Sequence, residues 1–338
     1  MTVITIKDIA RKAGVSVATV SYVVNQTRYV SPERKARVLQ AIAELGYSPN
    51  AIARSLRQKN TRMIGLIVPD SSNPFFAEIA KGVEDAGYER GYSVILCNSN
   101  ASIERELVYL DLLRSKRVDG IIFIATTTRV DQIRPFVAAG IPVAVFYRDN
   151  PDLDIDTFRI DNVKAGCMAT RHLIDLGHRQ IACIQPASAQ TPSGQRVDGY
   201  KQAMQESGLT WDEALLPRGD NRVSGGKEAA QALVSSGRPF SAIFSSNDAM
   251  AIGAMRALRE MGYAMPQDVS IVGVDDIILA SYTEPPLTSV AQPKYEAGCQ
   301  AVDFVIQRVE GGYNQGPRNV LLEIELIVRA SSIGHPAS

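Results

Sequence analysis

The sequence has few of the residues on which metal sites and disulfide frameworks depend. It contains three histidines and four cysteines among 338 residues. The cysteines are widely spaced with no CxxC pair, so buried free thiols in a reducing compartment are expected. The histidines are too few and too scattered for a metal-ligand cluster. We therefore expect no metal and no cofactor. These residues are Cys97, Cys167, Cys183, Cys299, His172, His178 and His335.

Several longer patterns are also missing. No run of eighteen apolar residues occurs, so no membrane-spanning helix is predicted. The first residues lack the apolar core and cleavage site of a secretory signal, which favours a cytoplasmic protein. No GxGxxG follows a predicted strand, and the GxxxxGK[ST], HExxH and GxSxG patterns are absent. The paired acids Asp275 and Asp276 have no histidine or metal cluster nearby in sequence, so an enzyme is not expected.

Acidic residues are scarce at one end of the chain. Residues 1–60 contain ten basic and three acidic side chains, a balance of +7. The whole chain carries 36 of each sign, so the remainder has a balance of −7. A solvated charged surface is the alternative explanation, but a helical head would not need this excess of basic residues for its solubility. A basic head on an acidic body favours nucleic-acid binding confined to the head.

Residues 5–25 have the pattern of a helix-turn-helix. Apolar residues recur at helical spacing from Ile6 to Ala13, and Gly14 is expected to end that helix in a left-handed conformation. Ser16 is expected to cap a second helix through its hydroxyl. An apolar stripe is predicted for Val17, Val20, Val23 and Val24. A small, polar face is left for Ala18, Thr19, Tyr22 and Asn25, as expected of a recognition helix; an ordinary helical bundle is the alternative.

A third helix and a linker follow. Ser31-Pro32-Glu33 has the composition of a helix start, and Gly46 is expected to end the helix. The three helices are predicted to share a small core, which is marginal in a unit of this size. Residues 48–57 are predicted to form a linker that becomes helical only with a partner. The predicted core residues are Ile9, Val20, Val24, Leu39, Ile42 and Leu45.

From Met63 onwards, short apolar runs alternate with helical patterns. This alternation occurs in two series, with the second starting near Ile160. It predicts an α/β body of two doubly wound subdomains with parallel sheets. A last helix over Tyr295–Glu310 and a last strand over Val320–Ile327 complete the pattern. The other predicted strands are Met63–Val68, Tyr92–Cys97, Gly120–Ile124, Val143–Tyr147, Gln180–Ile184, Ala242–Phe244 and Ser270–Val274.

Polar and aromatic residues follow the carboxyl ends of these strands. Ligands of open α/β sheets bind at those ends, so the residues are expected to converge on one site. Carboxylate, amide and guanidinium groups satisfy hydroxyls, and aromatic faces cover C–H surfaces, which favours a neutral polyhydroxylated ligand. For any one residue, capping a loop is an equally good explanation. The candidates are Asp70, Asn73, Phe75, Phe76, Tyr147, Arg148, Asp149, Asp161, Gln190, Arg196, Asn247, Asp275 and Gln292.

The chain as a whole resembles the lactose/galactose repressor family. The resemblance rests on TIKDIARKAGVSVATVSYVVN, SPNAIARSLR and IGLIVPDSSNPFF, and extends through RHLIDLGHRQIACI, FSSNDAMAIGAMRAL and VSIVGVDD. It implies a DNA-binding head over 1–48, a hinge helix over 49–61 and an effector-binding body over 62–338 that is similar to periplasmic binding proteins. The first lobe is expected over about 62–161 and 292–323, and the second over 162–291 and 324–338.

The resemblance also implies how the head contacts DNA. A homodimer would bind a near-palindromic operator, with each second helix in the major groove. By position Val17, Ala18 and Tyr22 would read bases, with Thr19, Ser21 and Asn25 nearer the backbone. Many relatives have a basic residue or histidine where Tyr22 stands. Leu56 matches the family's leucine that wedges into the minor groove. The remaining expected DNA contacts are Thr5, Lys7, Ser16, Arg28, Asn50, Ala53 and Arg57.

For the body, the resemblance is to the ribose binder among periplasmic proteins. Its pocket carries over to Asn73, Phe75, Phe76, Arg148, Arg196, Asn247, Asp275 and Gln292. Two departures favour a more polar pocket than one for plain ribose. Tyr147 stands where sugar binders commonly have an aspartate, and Asn221 or Asp220 where an aromatic ring often closes the pocket. Gln190 replaces the arginine expected for a purine ligand, so a nucleobase is the less favoured alternative.

The implied function is a transcriptional regulator, most simply a repressor, controlled by a sugar bound between the lobes. Binding would change the angle between the lobes and so the hinge, with ligand and DNA affinities coupled reciprocally. Inducer and corepressor remain equally open. Dimerisation is expected on the first-lobe helices after residues 74 and 102, and no long heptad tail for tetramers follows Leu326. A solute-binding protein without a DNA role is the alternative, disfavoured by the basic head.

Overall fold

The computed structural model describes residues 4–25, 28–47, 60–124, 130–147, 153, 155–189 and 191–335, and for residues 25, 130 and 131 it describes the backbone only. The chain divides into a small unit, residues 1–61, and a large unit, residues 62–338. The predicted linker over 48–57 lies outside the described residues. None of the described helices has the length and apolar character needed to cross a membrane.

The small unit contains the three predicted helices, α1 (Ile6–Ala13), α2 (Val17–Asn25) and α3 (Pro32–Leu45). A capping box begins α1, because Asp8 Oδ2 accepts hydrogen bonds from the Thr5 amide at 2.9 Å and the Thr5 hydroxyl at 2.6 Å. The hydrogen bonds from Thr5 lower the pKa of the Asp8 carboxyl. Ser16 caps α2 as predicted, with its hydroxyl accepting from the Thr19 amide at 3.1 Å. Gly14 ends α1 with a φ of 62°.

The core of the small unit differs from the prediction at two positions. Val17 was assigned to the apolar stripe of α2, but it is 42% exposed. Leu39 was assigned to the core, but it is 49% exposed, and its neighbour Val38 is fully buried instead. The 3.6-residue period leaves the phase of a short stripe uncertain by one residue, which explains both errors. The buried side chains are Ile9, Ala10, Ala13, Val20, Val23, Val38 and Ala41.

The large unit contains two sheets with helices between their strands. The first sheet has six strands in the order β10-β5-β4-β3-β1-β2, all parallel. Its core strands are apolar along their whole length because helices cover both faces. The strands are β1 (Met63–Val68), β2 (Ser93–Asn98), β3 (Gly120–Ile124), β4 (Val143–Phe146), β5 (Asp156–Arg159) and β10 (Asn319–Leu321). The helices of this lobe are α4 (Pro74–Glu89), α5 (Ile103–Lys116), α6 (Val130–Ala138) and α11 (Lys294–Val309).

The second sheet has five strands in the order β11-β9-β8-β7-β6. Its strands are parallel except β11, which pairs antiparallel with β9. The strands are β6 (Ile181–Ile184), β7 (Ala242–Ser245), β8 (Ser270–Asp275), β9 (Thr288–Ala291) and β11 (Glu325–Ile327). The helices of this lobe are α7 (Asn162–Asp175), α8 (Gln195–Glu206), α9 (Val223–Ser235) and α10 (Asp248–Glu260).

The end of the chain corrects the sequence prediction. A single strand was predicted over Val320–Ile327, but the structure has β10 in the first sheet and β11 in the second. A continuous β-like pattern does not reveal that the chain passes from one lobe to the other within it. The short strand β9 was also missed, because Thr288 and Ser289 are polar although fully buried.

The C-terminal segment packs against the second lobe through the three histidines. His178 Nε2–H donates to the Ile333 carbonyl at 3.1 Å, and its Nδ1 lies 2.8 Å from the Ser241 hydroxyl. His172 Nε2 lies 2.9 Å from the Ser332 hydroxyl, and the rings of His178 and His335 stack at 5.1 Å. Burial lowers the pKa of both His172 and His178.

We expect the large unit to lose stability as the pH falls below neutrality. The folded-state pKa values of His172 and His178 lie below the ordinary value of 6.5. As the pH falls, the unfolded chain therefore binds protons before the folded chain does, which lowers the free energy of unfolding. The loss begins near pH 6.5 and ends below the folded pKa values. Thermal melting from pH 8 to 5 with His178→Gln should show a flatter profile than the unaltered protein. An identical slope would contradict this account.

Candidate functional site

A cavity of about 310 Å³ lies between the two lobes of the large unit, at the carboxyl ends of strands from both sheets. This is where ligands of open α/β folds bind. The cavity is lined by Pro69, Asp70, Asn73, Phe75, Phe76, Asn100, Ala101, Tyr147, Asn162, Ala187, Thr191, Pro192, Ser193, Arg196, Asp220, Asn221, Arg222, Asn247 and Asp275.

The first lobe supplies an aromatic wall. Asn73 caps α4 by accepting the Phe75 amide at 3.0 Å, and Pro74 occupies the first helical position, so α4 starts at the cavity. The centre of the Phe75 ring lies 5.1 Å from the centre of the Phe76 ring and 5.7 Å from the centre of the Tyr147 ring. Burial and the nearby Asp275 carboxylate raise the pKa of Tyr147, so its hydroxyl stays protonated and able to donate. This wall offers flat C–H-binding faces with one polar tip.

The second lobe supplies a buried ion pair. Arg196 Nη1 lies 3.0 Å from Asp275 Oδ1 and donates to the Ser246 carbonyl at 2.7 Å. Arg196 Nε donates to Asn162 Oδ1 at 3.0 Å. The residues Arg196 and Asp275 are each 5% exposed. Such a pair stays charged only with further hydrogen bonds, and its fixed orientation gives a polar ligand a preorganised donor and acceptor.

The position of Arg196 depends on unusually close packing of α7 and α8. A Cβ atom on Gly166 would lie 1.9 Å from the Arg196 carbonyl oxygen, and one on Gly199 would lie 2.0 Å from the Val163 carbonyl oxygen. No side chain fits at either contact. The two glycines therefore let α8 approach α7 closely enough for Arg196 to reach Asn162.

The turn that carries Asp275 is stabilised by residues that do not line the cavity. Asp275 and Asp276 have φ values of 115° and 47°, and both are therefore in conformations that cost energy. The Lys294 ammonium stabilises the turn by donating to the carbonyls of Asp275 at 2.7 Å and Asp276 at 3.0 Å. Gln292 Nε2 donates to Asp275 Oδ1 at 2.8 Å. Burial raises the pKa of Asp275, and Arg196 opposes this effect.

A second buried carboxylate lies behind the same turn. Asp248 accepts from the Ser289 hydroxyl at 2.7 Å and from the Ile277 amide at 2.9 Å. Burial, followed by the Asp275 charge, raises the pKa of Asp248 well above its usual range. Within the described residues, no group of histidine, cysteine or acidic side chains has a geometry that could hold a metal ion. Through its hydrogen bond from the Ile277 amide, Asp248 stabilises the turn that carries Asp275.

Nine of the predicted effector residues line the cavity: Asp70, Asn73, Phe75, Phe76, Tyr147, Arg196, Asn221, Asn247 and Asp275. Two others do not. Gln292 lies behind Asp275, and Asp161 caps α7 by accepting the Lys164 amide at 2.8 Å. Arg148, Asp149 and Gln190 lie outside the described residues. Sequence reasoning missed Asn162, which follows Asp161 directly, and the loop residues Asn100 and Arg222.

The head presents an exposed surface at the start of α2. Ser16, Val17 and Ala18 are exposed, Thr19, Ser21 and Tyr22 are half-buried, and the Arg28 guanidinium lies 5.3 Å from the Tyr22 ring centre. Thr5 and Lys7 are also exposed. Asn25 is described only by its backbone, and Asn50, Ala53, Leu56 and Arg57 lie outside the described residues. Exposed small and apolar side chains at a helix N-terminus suit contact with base edges.

Known proteins resemble both units. Residues 5–50 match the family described as bacterial regulatory proteins of the lacI family, and residues 61–330 match periplasmic binding proteins and the sugar-binding domain of the LacI family. The ribose operon repressor of Escherichia coli K12 is 41% identical over 310 residues, covering 90% of this chain and 93% of that protein. The PurR repressor of Photobacterium profundum is 37% identical over 328 residues, covering 97% and 98%.

Among solved structures, a Lac repressor dimer bound to operator and the anti-inducer ONPF is similar over both units. It matches with a TM-score of 0.85 and 28% identity, and the match covers 98% of this chain and 100% of that one. The predicted α/β architecture, with a helix-turn-helix head and a two-lobed body, is confirmed by this likeness.

Proposed function

Because the chain belongs to the LacI family of bacterial regulatory proteins, we propose that it is a repressor whose operator affinity is set by a sugar bound between its lobes. It is a DNA-binding transcriptional regulator and not an enzyme. The observation that carries the proposal is the interlobe cavity, with aromatic faces opposite a buried arginine–aspartate pair, in a chain with a helix-turn-helix head.

The cavity chemistry favours a sugar over a nucleobase. Arg196, Asp275, Asn247 and Asn162 offer donors and acceptors at the second lobe, and sugar hydroxyls use both. The rings of Phe75 and Tyr147 cover the less polar face of such a ligand. The relative at 41% identity is named for the ribose operon, which supports this choice. A nucleobase corepressor is the second candidate.

We propose that the protein acts as a cytoplasmic homodimer. On α5, Ile103, Leu107, Val108 and Leu112 are between 37% and 67% exposed, which is unusual for apolar residues of one helix. The Lac repressor relative is a dimer on its operator. Helices α4 and α5 of two subunits would pair, with one head, residues 1–48, on each half-site and paired hinges, residues 49–61, between them.

Selection from a pool of random duplex DNA tests the DNA-binding part directly. The purified protein should enrich a near-palindromic sequence, and its affinity should fall steeply with salt, since each phosphate contact adds about −0.9 to the logarithmic slope. If no palindrome is enriched, the operator part of the proposal is wrong. Thermal-shift screening of pentoses, hexoses and purine bases then identifies the effector class. Stabilisation by a purine base alone would contradict the proposal that the effector is a sugar.

We expect Tyr22→Ala to weaken binding to the selected operator about tenfold while leaving binding to unrelated DNA nearly unchanged. Loss of a base contact removes discrimination, worth about 1–3 kcal/mol, but keeps the phosphate contacts. Tyr29, which is 89% exposed in the same unit, provides the matched control as Tyr29→Ala. Fluorescence anisotropy with both DNAs measures the effect. An equal loss on both DNAs would exclude a base-reading role for Tyr22.

A further inference from the structure

Arg222 lies across the mouth of the cavity and belongs neither to the cavity floor nor to the DNA-binding head. Arg222 belongs to the second lobe, directly before α9. Its Nη2 atom lies 3.2 Å from Asp70 Oδ2 and 3.2 Å from Asn100 Oδ1. Asp70 follows β1 and Asn100 follows β2, so both acceptors belong to the first lobe. One guanidinium group therefore bridges the two lobes.

The loop that carries Arg222 is fixed by its own hydrogen bonds. Asp220 Oδ1 accepts the amides of Arg222 at 2.7 Å and Gly225 at 2.9 Å. Asn221 has a φ of 66°, and its carbonyl accepts from the Asn247 side chain at 3.1 Å. Asn247 is itself a cavity residue. The backbone before α9 is thus anchored to the cavity wall, and only the Arg222 side chain extends across the gap.

Burial distinguishes this bridge from the cavity floor. The floor residues Arg196, Asp275 and Asn247 are 5–7% exposed. Asn100, Ala101, Asp220 and Arg222 are all exposed although they line the same cavity. The Arg222 bridge therefore lies at the solvent end, and a ligand that extends from the floor towards solvent meets it.

The charges around Arg222 do not suit a second anion site. The Asp70 carboxylate pairs with it directly, and the Asp220 carboxylate lies within the same loop. Partial burial opposes ionisation of Asp70, but hydrogen bonds from Ser72 and the charge of Arg222 outweigh it and lower the pKa of the Asp70 carboxyl. A phosphate ester placed there would face two carboxylates. The arrangement suits closure over an uncharged ligand.

We propose that Arg222 is a specificity-determining residue that closes the cavity over the effector and selects ligands that fit entirely behind it. Resting on the proposed sugar-binding function, this predicts a preference for a free monosaccharide over its extended glycosides and over disaccharides. A ligand with a substituent directed at the mouth must break both hydrogen bonds of Arg222 and displace its side chain. A ligand without one leaves the bridge intact.

Titration calorimetry with D-ribose, methyl β-D-ribofuranoside and butyl β-D-ribofuranoside tests the selection. For the unaltered protein we expect affinity to fall along this series. In Arg222→Ala the ratio of the ribose and butyl riboside affinities should shrink by about tenfold, while ribose itself weakens only about threefold, as for an exposed ion pair. Arg256→Ala, which removes an exposed arginine paired with Glu260 on the outer face of α10, is the control.

A thiol-labelling experiment tests the closure without any sugar. Ser193→Cys places a thiol in the cavity wall and keeps the Asn247 anchor of the Arg222 loop, and peptide mass spectrometry follows its reaction with iodoacetamide and with a bulky polyethylene-glycol maleimide. Adding Arg222→Ala should raise the maleimide rate several-fold and leave the iodoacetamide rate unchanged. A thermal melt shows whether each variant is folded.

The outcomes separate the two claims. If maleimide labelling responds to Arg222→Ala but no sugar binds either protein, the closure stands and the proposed effector class fails. If ribose binds but neither the affinity ratio nor the labelling rate responds to Arg222→Ala, the selective role of Arg222 is wrong. A change equal to that of Arg256→Ala would also overturn it.

Discussion

Arg196→Met should abolish effector binding while the protein remains folded. The guanidinium holds Asp275, Asn162 and the Ser246 carbonyl in one arrangement on the cavity floor. The substitution removes the charged donors offered to the ligand, and each hydrogen bond to a charged group contributes about 1.5–3 kcal/mol. We therefore expect affinity for the sugar found by thermal shift to fall at least ~100-fold, as measured by titration calorimetry.

The same substitution should also lower the free energy of unfolding, because it leaves Asp275 buried without its cation. Arg196→Met combined with Asp275→Asn should recover part of that stability but none of the binding. Arg171→Met on α7, which removes an exposed pair with Glu206, is the matched control and should leave both quantities nearly unchanged. Unaltered sugar affinity in Arg196→Met would show that the cavity floor is not the effector site.

Asp156→Asn should be among the most destabilising conservative changes in the large unit. Asp156 is fully buried on β5. Its carboxylate accepts from Arg308 at 2.8 Å and 2.9 Å and from Arg318 Nη2 at 2.7 Å. Losing the charge leaves two largely buried guanidinium groups without their anion, at a cost of about 3–5 kcal/mol. Because these arginines join β5 to α11 and to the segment before β10, the first lobe should unfold at lower urea concentration.

The pH dependence of this cluster has a definite sign. Burial raises the pKa of Asp156, but the hydrogen bonds from Arg308 and Arg318 outweigh it and hold the pKa below the ordinary value of 3.8. The stabilisation is therefore present above about pH 4 and lost as the pH falls through the folded-state pKa. Asp111→Asn, which removes an exposed pair with Arg114, should change stability by less than ~0.5 kcal/mol. Equal effects of the two substitutions would refute the buried-cluster account.

The body was predictable where local pattern and tertiary environment agree. Strands such as Gly120–Ile124 are buried on both faces, so an unbroken apolar run reveals them. The strand pattern alone did not reveal the crossing at residues 322–324, because the choice between two sheets depends on partners distant in sequence; only the family resemblance implied a lobe boundary between residues 323 and 324. Leu39 shows the same limit in the head: spacing identifies an amphipathic helix but does not fix its rotation to one residue.

For the site, the residues at strand ends were predictable, whereas the loop residues Asn100 and Arg222 were not; Asn221 in the same loop came only from the family resemblance. Asp275 and Asn247 directly follow or end strands, and topology brings such positions together. Arg222 lies well beyond β6, and only the folded loop places it opposite Asp70. Gln292 shows the opposite error, since its position after β9 is correct but its side chain supports Asp275 from behind.

The central claim is that sugar binding in the cavity and operator binding by the head are thermodynamically coupled. Reciprocal titration tests it most directly. The affinity of the protein for the selected operator is measured with and without saturating sugar, and the affinity for the sugar is measured with and without saturating operator, at one salt concentration. We predict the same factor in both directions, about 5- to 150-fold. A sugar that binds tightly but leaves operator affinity unchanged would contradict the account.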